Sequence, residues 1–295
     1  MLISEPRLFD MFHDKIVNLS NPARHDSIMS SAKFGTRGML VSFDDPYHTN
    51  VYIIFGDEHV FVLDTFLGND SMKIVHQVIA DEGCRGMPII VFNSHADYDH
   101  YWGNGAFKGE MIVGHEHCKE RILSEGQASL VKYADHQRGE VELIPPTRTF
   151  QEALSFDAEN VKFFHTPGHT LDSSSCLDER DGVLFVGDNV ESPIPYLNHV
   201  NFDQYIRTLE SYLELDWKCI IAGHDPLLQK PDLVKQNIDY LRRFRDWSFD
   251  IDSFSVNELH RHVEHNLKTI RDELMKSEHK HAAMKHFEEL EKYIS

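Results

Sequence analysis

The stretch NSHADYDHYWGN, residues 93–104, follows directly on the apolar run MPIIVF and puts seven polar or ionisable side chains into its first eight positions. The apolar run reads as a strand buried on both faces. Leaving it, the chain at once presents His95, Asp97, Asp99 and His100. Carboxylates crowded in this way repel one another and are driven towards their protonated forms. Cations remove that penalty, because each carboxylate oxygen and imidazole nitrogen donates a lone pair to them.

The pattern recurs. VKFFH (161–165) leads into TPGHT with His169, GVLFVG (182–187) into Asp188, and KCIIAG (218–223) into His224. One histidine after a strand is ordinarily structural. Four apolar strands that each deliver ionisable groups at the same kind of position point to a shared rim of a sheet, where sites form. His95 and Asp97, two apart, can face the same way on an extended loop, and Asp99 and His100 follow on the turn. Seven candidate ligands exceed what one tetrahedral ion takes and suit two ions sharing a carboxylate.

At this point the chain resembles the metallo-beta-lactamase superfamily, whose mark is HxHxDH after a strand, then a His, an Asp and a His, each after its own strand. The phrases HTPGHT and VGD match as well, and the resemblance covers roughly residues 30 to 228. It implies an α/β fold, a four-layer αββα sandwich of two mixed sheets with helices outside. It also implies that His95, Asp97 and His169 hold a first metal, that Asp99, His100 and His224 hold a second, and that Asp188 bridges them. The function implied is a metal-dependent hydrolase in which a hydroxide held between two divalent ions attacks a small ester, thioester, lactone or related substrate. Asp99 is the expected catalytic residue, orienting the hydroxide or carrying its proton.

One position departs from the motif: Asp97 stands where the second His belongs. A carboxylate favours harder ions, so iron or manganese joins zinc as a candidate. The flavodiiron oxidoreductases of the same superfamily carry a Glu there, which leaves open a diiron oxidoreductase with an external electron donor. The 65 residues after position 230 are too few and too helical for a flavin domain. A degenerate metal-binding protein is the third reading.

Around these motifs, MLVSF (39–43) reads as a strand and VYIIFGDEHVFVLDTF (51–66) as a hairpin turning at Gly56-Asp57-Glu58. Val75, Val78 and Ile79 are spaced for a helix over 71–83 that Gly83 ends. MIVG (111–114) reads as a strand, HCKERILSEG as a helix with a glycine stop, VELIPP (141–146) as a strand, and 202–215 as a helix. His165 is expected in the core or behind the ligands, His115 and His117 are not expected to bind metal, and Asp172 is expected to hydrogen-bond around His169. Tyr98, Tyr196, His199 and the tail are candidates to line or cap the pocket.

The tail changes character. Ser255 and Glu258 form a capping-box pattern ahead of Val256, Leu259, Val263, Leu267, Ile270 and Leu274, an apolar stripe at helical steps. Residues 231–244 and 280–294 read the same way. We therefore divide the chain into a domain at 1–230 and a helical extension at 231–295 that packs on the domain or on a second copy of the chain. The tail histidines 260, 262, 265, 279, 281 and 286 form no HExxH and are expected to be solvated.

Charge sets the partner class. With 29 basic and 48 acidic residues the chain carries −19, a poor match for nucleic acid or an anionic membrane. A small-molecule substrate is the expected partner. MLISEPRLFDMFHDKI lacks a cationic and apolar leader pattern, no run reaches membrane-spanning length, and Cys84, Cys118, Cys176 and Cys219 form no CxxC. Reduced thiols and a cytoplasmic location are expected.

Overall fold

In a computed structural model, which describes residues 29–294, two β-sheets lie face to face. The opening residues MLISEPRLFDMFHDKI lie outside the described part. The first sheet runs in chain order: β1 (Met29–Phe34), β2 (Gly38–Phe43), β3 (Thr49–Phe55), β4 (Val60–Leu63), β5 (Ile89–Phe92), β6 (Met111–His115) and β7 (Arg148–Phe150). Its first four strands form an antiparallel meander, and β4 through β7 are parallel. The second sheet is β8 (Ala153–Phe156), β9 (Val161–His165), β10 (Ser174–Asp178), β11 (Val183–Gly187) and β12 (Cys219–Ala222), antiparallel except for the parallel β11–β12 pair.

The layering follows from the two-residue period of a strand. In β4, Phe61 and Leu63 enter the core between the sheets, where they meet Phe163 and Phe185, while Val60 and Val62 face the other way. That outer face packs on α1 (Asn69–Asp81) and α3 (Glu116–Lys132) through Met72, Val75, Cys118 and Ile122. The one-turn helix α2 (Tyr98–Tyr101) lies between them in sequence. On the second sheet, Leu184, Val186 and Ile220 face outwards against α4 (Phe202–Glu214) and α5 (Asp232–Asp246). Strands buried on both faces read as unbroken apolar runs for this reason. The result is the four-layer αββα sandwich.

The tail continues the last layer. After α5 come α6 (Val256–His260), a π-helical stretch over Arg261–Leu267, α7 (Lys268–Leu274) and α8 (Lys280–Ile294). Ser255 and Glu258 form the capping box. Leu267, Ile270 and Leu274 of the stripe bury against the α4–α5 layer, whereas Val256 is exposed.

Several expectations need correction. VELIPP forms no ladder; the strand is β7, because Pro145 and Pro146 have no N–H to donate. The helix at 116 runs through Gly126, where a Cβ would meet Tyr101 and Leu143 at 3.1 Å, so that glycine serves packing and not termination. His262 and His286 are buried, not solvated, with their Nε2 atoms 2.8 Å apart. Burial among Phe249, Phe254 and Trp247 accounts for it. The four cysteines are free, three of them buried. No helix among the described residues is long and apolar enough to cross a membrane.

Candidate metal centre

All seven side chains singled out in the sequence converge on one rim. His95 and Asp97 leave the end of β5, Asp99 and His100 sit on α2, His169 follows β9, Asp188 follows β11, and His224 follows β12. Backbone shape makes room for them. Gly187, at φ +54°, turns the chain out of β11 beside Ser94, and a Cβ at Gly223 would collide with the Asp188 carboxylate.

Asp188 is the centre of the arrangement. Its Oδ2 lies 3.2 Å from Nε2 of His224, 3.3 Å from Nε2 of His100, 3.7 Å from Nε2 of His95 and 3.9 Å from Nε2 of His169. On one side, Oδ2 of Asp97 lies 3.2 Å from Nε2 of His169 and 3.6 Å from Nε2 of His95. On the other, Oδ2 of Asp99 lies 3.4 Å from Nε2 of His224 and 3.8 Å from Nε2 of His100. His95, Asp97 and His169 could hold one ion and Asp99, His100 and His224 another, while His95, His100 and Asp188 form a third such group between them.

The outward nitrogens decide what the inward ones can do. Nδ1 of His224 lies 2.7 Å from the carbonyl oxygen of His48 and must donate to it. Nδ1 of His100 lies 2.7 Å from Oδ2 of Asp64 and donates likewise. In the neutral rings the Nε2 lone pairs then point at carboxylates, an arrangement that calls for a cation. Among the described residues, Nε2 of His95, Nε2 of His100 and Oδ1 of Asp188 are buried with no hydrogen-bond partner. The donor set and these orphaned atoms fit divalent metal ions.

Electrostatics agree. Burial works against a charge on His224, yet the Asp188 and Asp99 carboxylates outweigh it and raise its pKa to about 10. His169 is raised to about 9 against burial by Asp97 and Asp188, and His100 is held well above the usual range by Asp188, Asp99 and Asp64. Asp97 and Asp188, although buried, are held well below the carboxylate range by the imidazoles around them. The cluster demands positive charge.

Three supporting residues escape the strand-end pattern or were not drawn from it. Asp64, fully buried at φ +60°, accepts from the Ser94 backbone N–H at 2.6 Å, the Ser94 hydroxyl at 2.7 Å and His100. Arg121 on α3 donates to Oδ1 of Asp97 at 2.7 Å and to Oδ1 of Asp172 at 2.6 Å. Tyr47 donates to Oδ2 of Asp99 at 3.0 Å. Asp172 therefore acts around Asp97, not around His169: its Oδ2 takes the N–H of Ala96 at 2.8 Å. His165 stacks on His115 with ring centroids 3.8 Å apart, away from the ligand cluster.

The rim opens into a cavity of about 540 Å³. Tyr98 and Tyr196 line it, as do Arg261, His265 and Thr269 from the tail helices; His199 does not. Glu191, buried in the wall 3.8 Å from Nδ1 of His169, is pushed up to about 7 by that burial.

Residues 44–224 match the family model of the metallo-beta-lactamase superfamily. This chain is a member of the metallo-beta-lactamase superfamily. The matched segment contains all seven converging side chains. Among solved structures, the DIM-1 metallo-beta-lactamase is 15% identical with a TM-score of 0.58, covering 72% of this chain and 97% of its own. A metallo-beta-lactamase from Hirschia baltica is 14% identical with a TM-score of 0.57, again covering 72% of this chain and 97% of its own. At such identity the likeness is one of fold. Among curated proteins, the Drosophila melanogaster "Beta-lactamase-like protein 2 homolog" is 24% identical over 185 residues, 62% of this chain and 60% of that protein. The Aspergillus versicolor "Putative transcription factor avaE" is 30% identical over 137 residues, 42% of this chain and 40% of that protein. The chain thus spans less than two thirds of either curated relative. Membership of this superfamily supports metal-dependent hydrolysis at the superfamily level and implies divalent metal ions.

Proposed function

We propose that this superfamily member is a dinuclear metal-dependent hydrolase acting on a small ester, thioester, lactone or related substrate. The observation that carries the proposal is the place of Asp188 Oδ2 among four imidazole nitrogens, with a carboxylate-bearing triad on each side. His95, Asp97 and His169 would hold one ion, Asp99, His100 and His224 the other, with Asp188 shared. Bound divalent ions there would supply Lewis acidity and lower the pKa of water.

The chain's own groups then have definite work. Asp99, steadied by the Tyr47 hydroxyl, orients the attacking water and receives its proton. Asp64 fixes the ring of His100, and His48 through its carbonyl fixes the ring of His224. Arg121 answers the charge of Asp97.

Asp97 also supports a second reading, a diiron oxidoreductase with an external electron donor, since a carboxylate suits iron. The test is a panel of esters, thioesters and lactones assayed with zinc, manganese or iron restored, beside redox spectroscopy of the native metal. Metal-stimulated hydrolysis that Asp188→Asn abolishes supports the hydrolase. A coupled diiron signal without hydrolysis supports the oxidoreductase. Inactivity across the panel with every metal overturns the hydrolase.

A further inference from the structure

Part of the cavity wall comes from the tail, outside the segment that matches the family. Arg261, His265 and Thr269 stand four residues apart along the helix and all line the cavity. The neighbouring positions His262, Asn266 and Leu267 of the same stretch are buried. The stretch is π-helical over Arg261–Leu267, a geometry that recurs at functional sites.

Arg261 is held rigidly. Its Nη1 donates to the carbonyls of Ser192 at 2.8 Å and Ile194 at 2.7 Å, and its guanidinium lies over the Tyr196 ring at 4.1 Å. Asn266 pins the same loop from the buried face, donating to the Pro195 carbonyl at 2.9 Å and accepting from the Leu197 N–H at 3.0 Å. Nε and Nη2 of Arg261 make no hydrogen bond among the described residues. Those two groups form one edge of the guanidinium, with the spacing that a carboxylate matches with both oxygens. Arg261 is also the one Lys or Arg among the described residues lining a cavity otherwise supplied with carboxylates, including Glu191 and Asp225.

We propose that Arg261 is a specificity residue and that the substrate is a small carboxylate-bearing ester, thioester or lactone. Its carboxylate pairs with the Nε–Nη2 edge of Arg261, and its scissile carbonyl lies at the Asp99–Asp188 rim. This rests on the hydrolase reading for the second half and on the cavity alone for the first. The guanidinium presents one two-pronged edge to one anionic group, and the Glu191 and Asp225 carboxylates in the same wall oppose any further negative charge, which selects a carboxylate over a phosphate dianion.

The test is calorimetric titration of the full chain with its metals. The probes are a hydrolysis-resistant thioether acid, 4-(benzylthio)butanoic acid, the uncharged alcohol 4-(benzylthio)butan-1-ol and the matching phosphonic acid. The acid is expected to bind about tenfold more tightly than the alcohol, as a charge-assisted pair in a recessed site does. In Arg261→Met the two should bind within about twofold, with Arg261→Lys between the extremes because it keeps the charge and loses the two-pronged edge. Equal binding of acid and alcohol by the wild type overturns the proposal. So does a preference that survives in Arg261→Met, which would place the carboxylate on the metals. Tighter binding of the phosphonic acid overturns the choice of carboxylate. Because Arg261 also ties down Ser192 and Ile194, Arg261→Met can fail to fold; an undiminished preference in Arg261→Lys then overturns the proposal by itself. Hydrolysis of the corresponding thioesters is followed in the same preparation. Hydrolysis without acid preference counts against Arg261 alone, and acid preference without hydrolysis counts against the hydrolase reading alone.

Discussion

Nη2 of Arg121 lies 2.7 Å from Oδ1 of Asp97, and its Nη1 lies 2.6 Å from Oδ1 of Asp172. One oxygen of Asp97 is thereby occupied, and Oδ2 alone faces His95 and His169. Asp97 thus offers the rim a single donor atom whose charge is answered by a guanidinium, close to what a neutral imidazole offers. The substitution that looked like a departure in the sequence comes with its compensation built in. Asp97→His alone would leave Arg121 with only Asp172 and Glu125 as carboxylate partners and take one negative charge from the rim, and zinc affinity is expected to fall about tenfold or more through that lost charge. Asp97→His with Arg121→Met is expected to recover most of that loss. Competition against a chromogenic chelator measures both; unchanged zinc affinity in Asp97→His alone would falsify the compensation.

Asp64 takes three hydrogen bonds, from the Ser94 backbone, the Ser94 hydroxyl and His100. Asparagine can accept at one atom and presents a donor at the other. Asp64→Asn should therefore misorient His100 and cost about 10–100-fold in metal affinity, the usual scale for a group that orients a ligand. Chelator competition gives the affinity, and a thermal melt of the metal-free protein separates this from loss of fold. Wild-type affinity in the variant would mean that His100 is held by packing alone.

Much of this site was legible in the chain because its candidate ligands sit where buried strands stop. The apolar run marks the strand and the first ionisable residue marks the rim, so His95, Asp188 and His224 announce themselves. Asp64 ends VFVL in the same manner and falls within reach of that rule, but a hairpin reading of residues 51–66 takes no notice of it. Arg121 gives no such signal: it lies inside a helix, and only the packing of α3 beside the rim brings it to Asp97. The tail shows the limit of periodicity. Apolar spacing finds Leu267 and Leu274, but His262 and His286 occupy buried positions as polar residues, and only the aromatic shell around them explains it. Gly126 likewise carries the mark of a helix stop, and the tight approach of Leu143 gives it another meaning.

The His262–His286 pair makes stability depend on pH. Burial, with His286 adding to it, lowers His262 to about 3, and burial lowers His286 as well. Tyr240 faces Nδ1 of His262 at 2.8 Å and brings no opposing charge. Above the ordinary histidine pKa of 6.5 both states are neutral and the full stability is present. As pH falls below 6.5 the unfolded chain takes a proton that folded His262 refuses, so stability is lost progressively towards pH 3. Measured as melting temperature between pH 7 and pH 4.5, His262→Phe should show a shallower decline than the wild type. Parallel curves would remove His262 as a cause.

The central claim is that seven side chains from separate strand ends meet to hold two ions that share Asp188. Metal content of the full chain, purified without chelator and measured by inductively coupled plasma mass spectrometry, tests it most directly. Two divalent ions per chain in the wild type, lost from Asp188→Asn, are the expected result. A wild-type protein that retains no more metal than Asp188→Asn would contradict it.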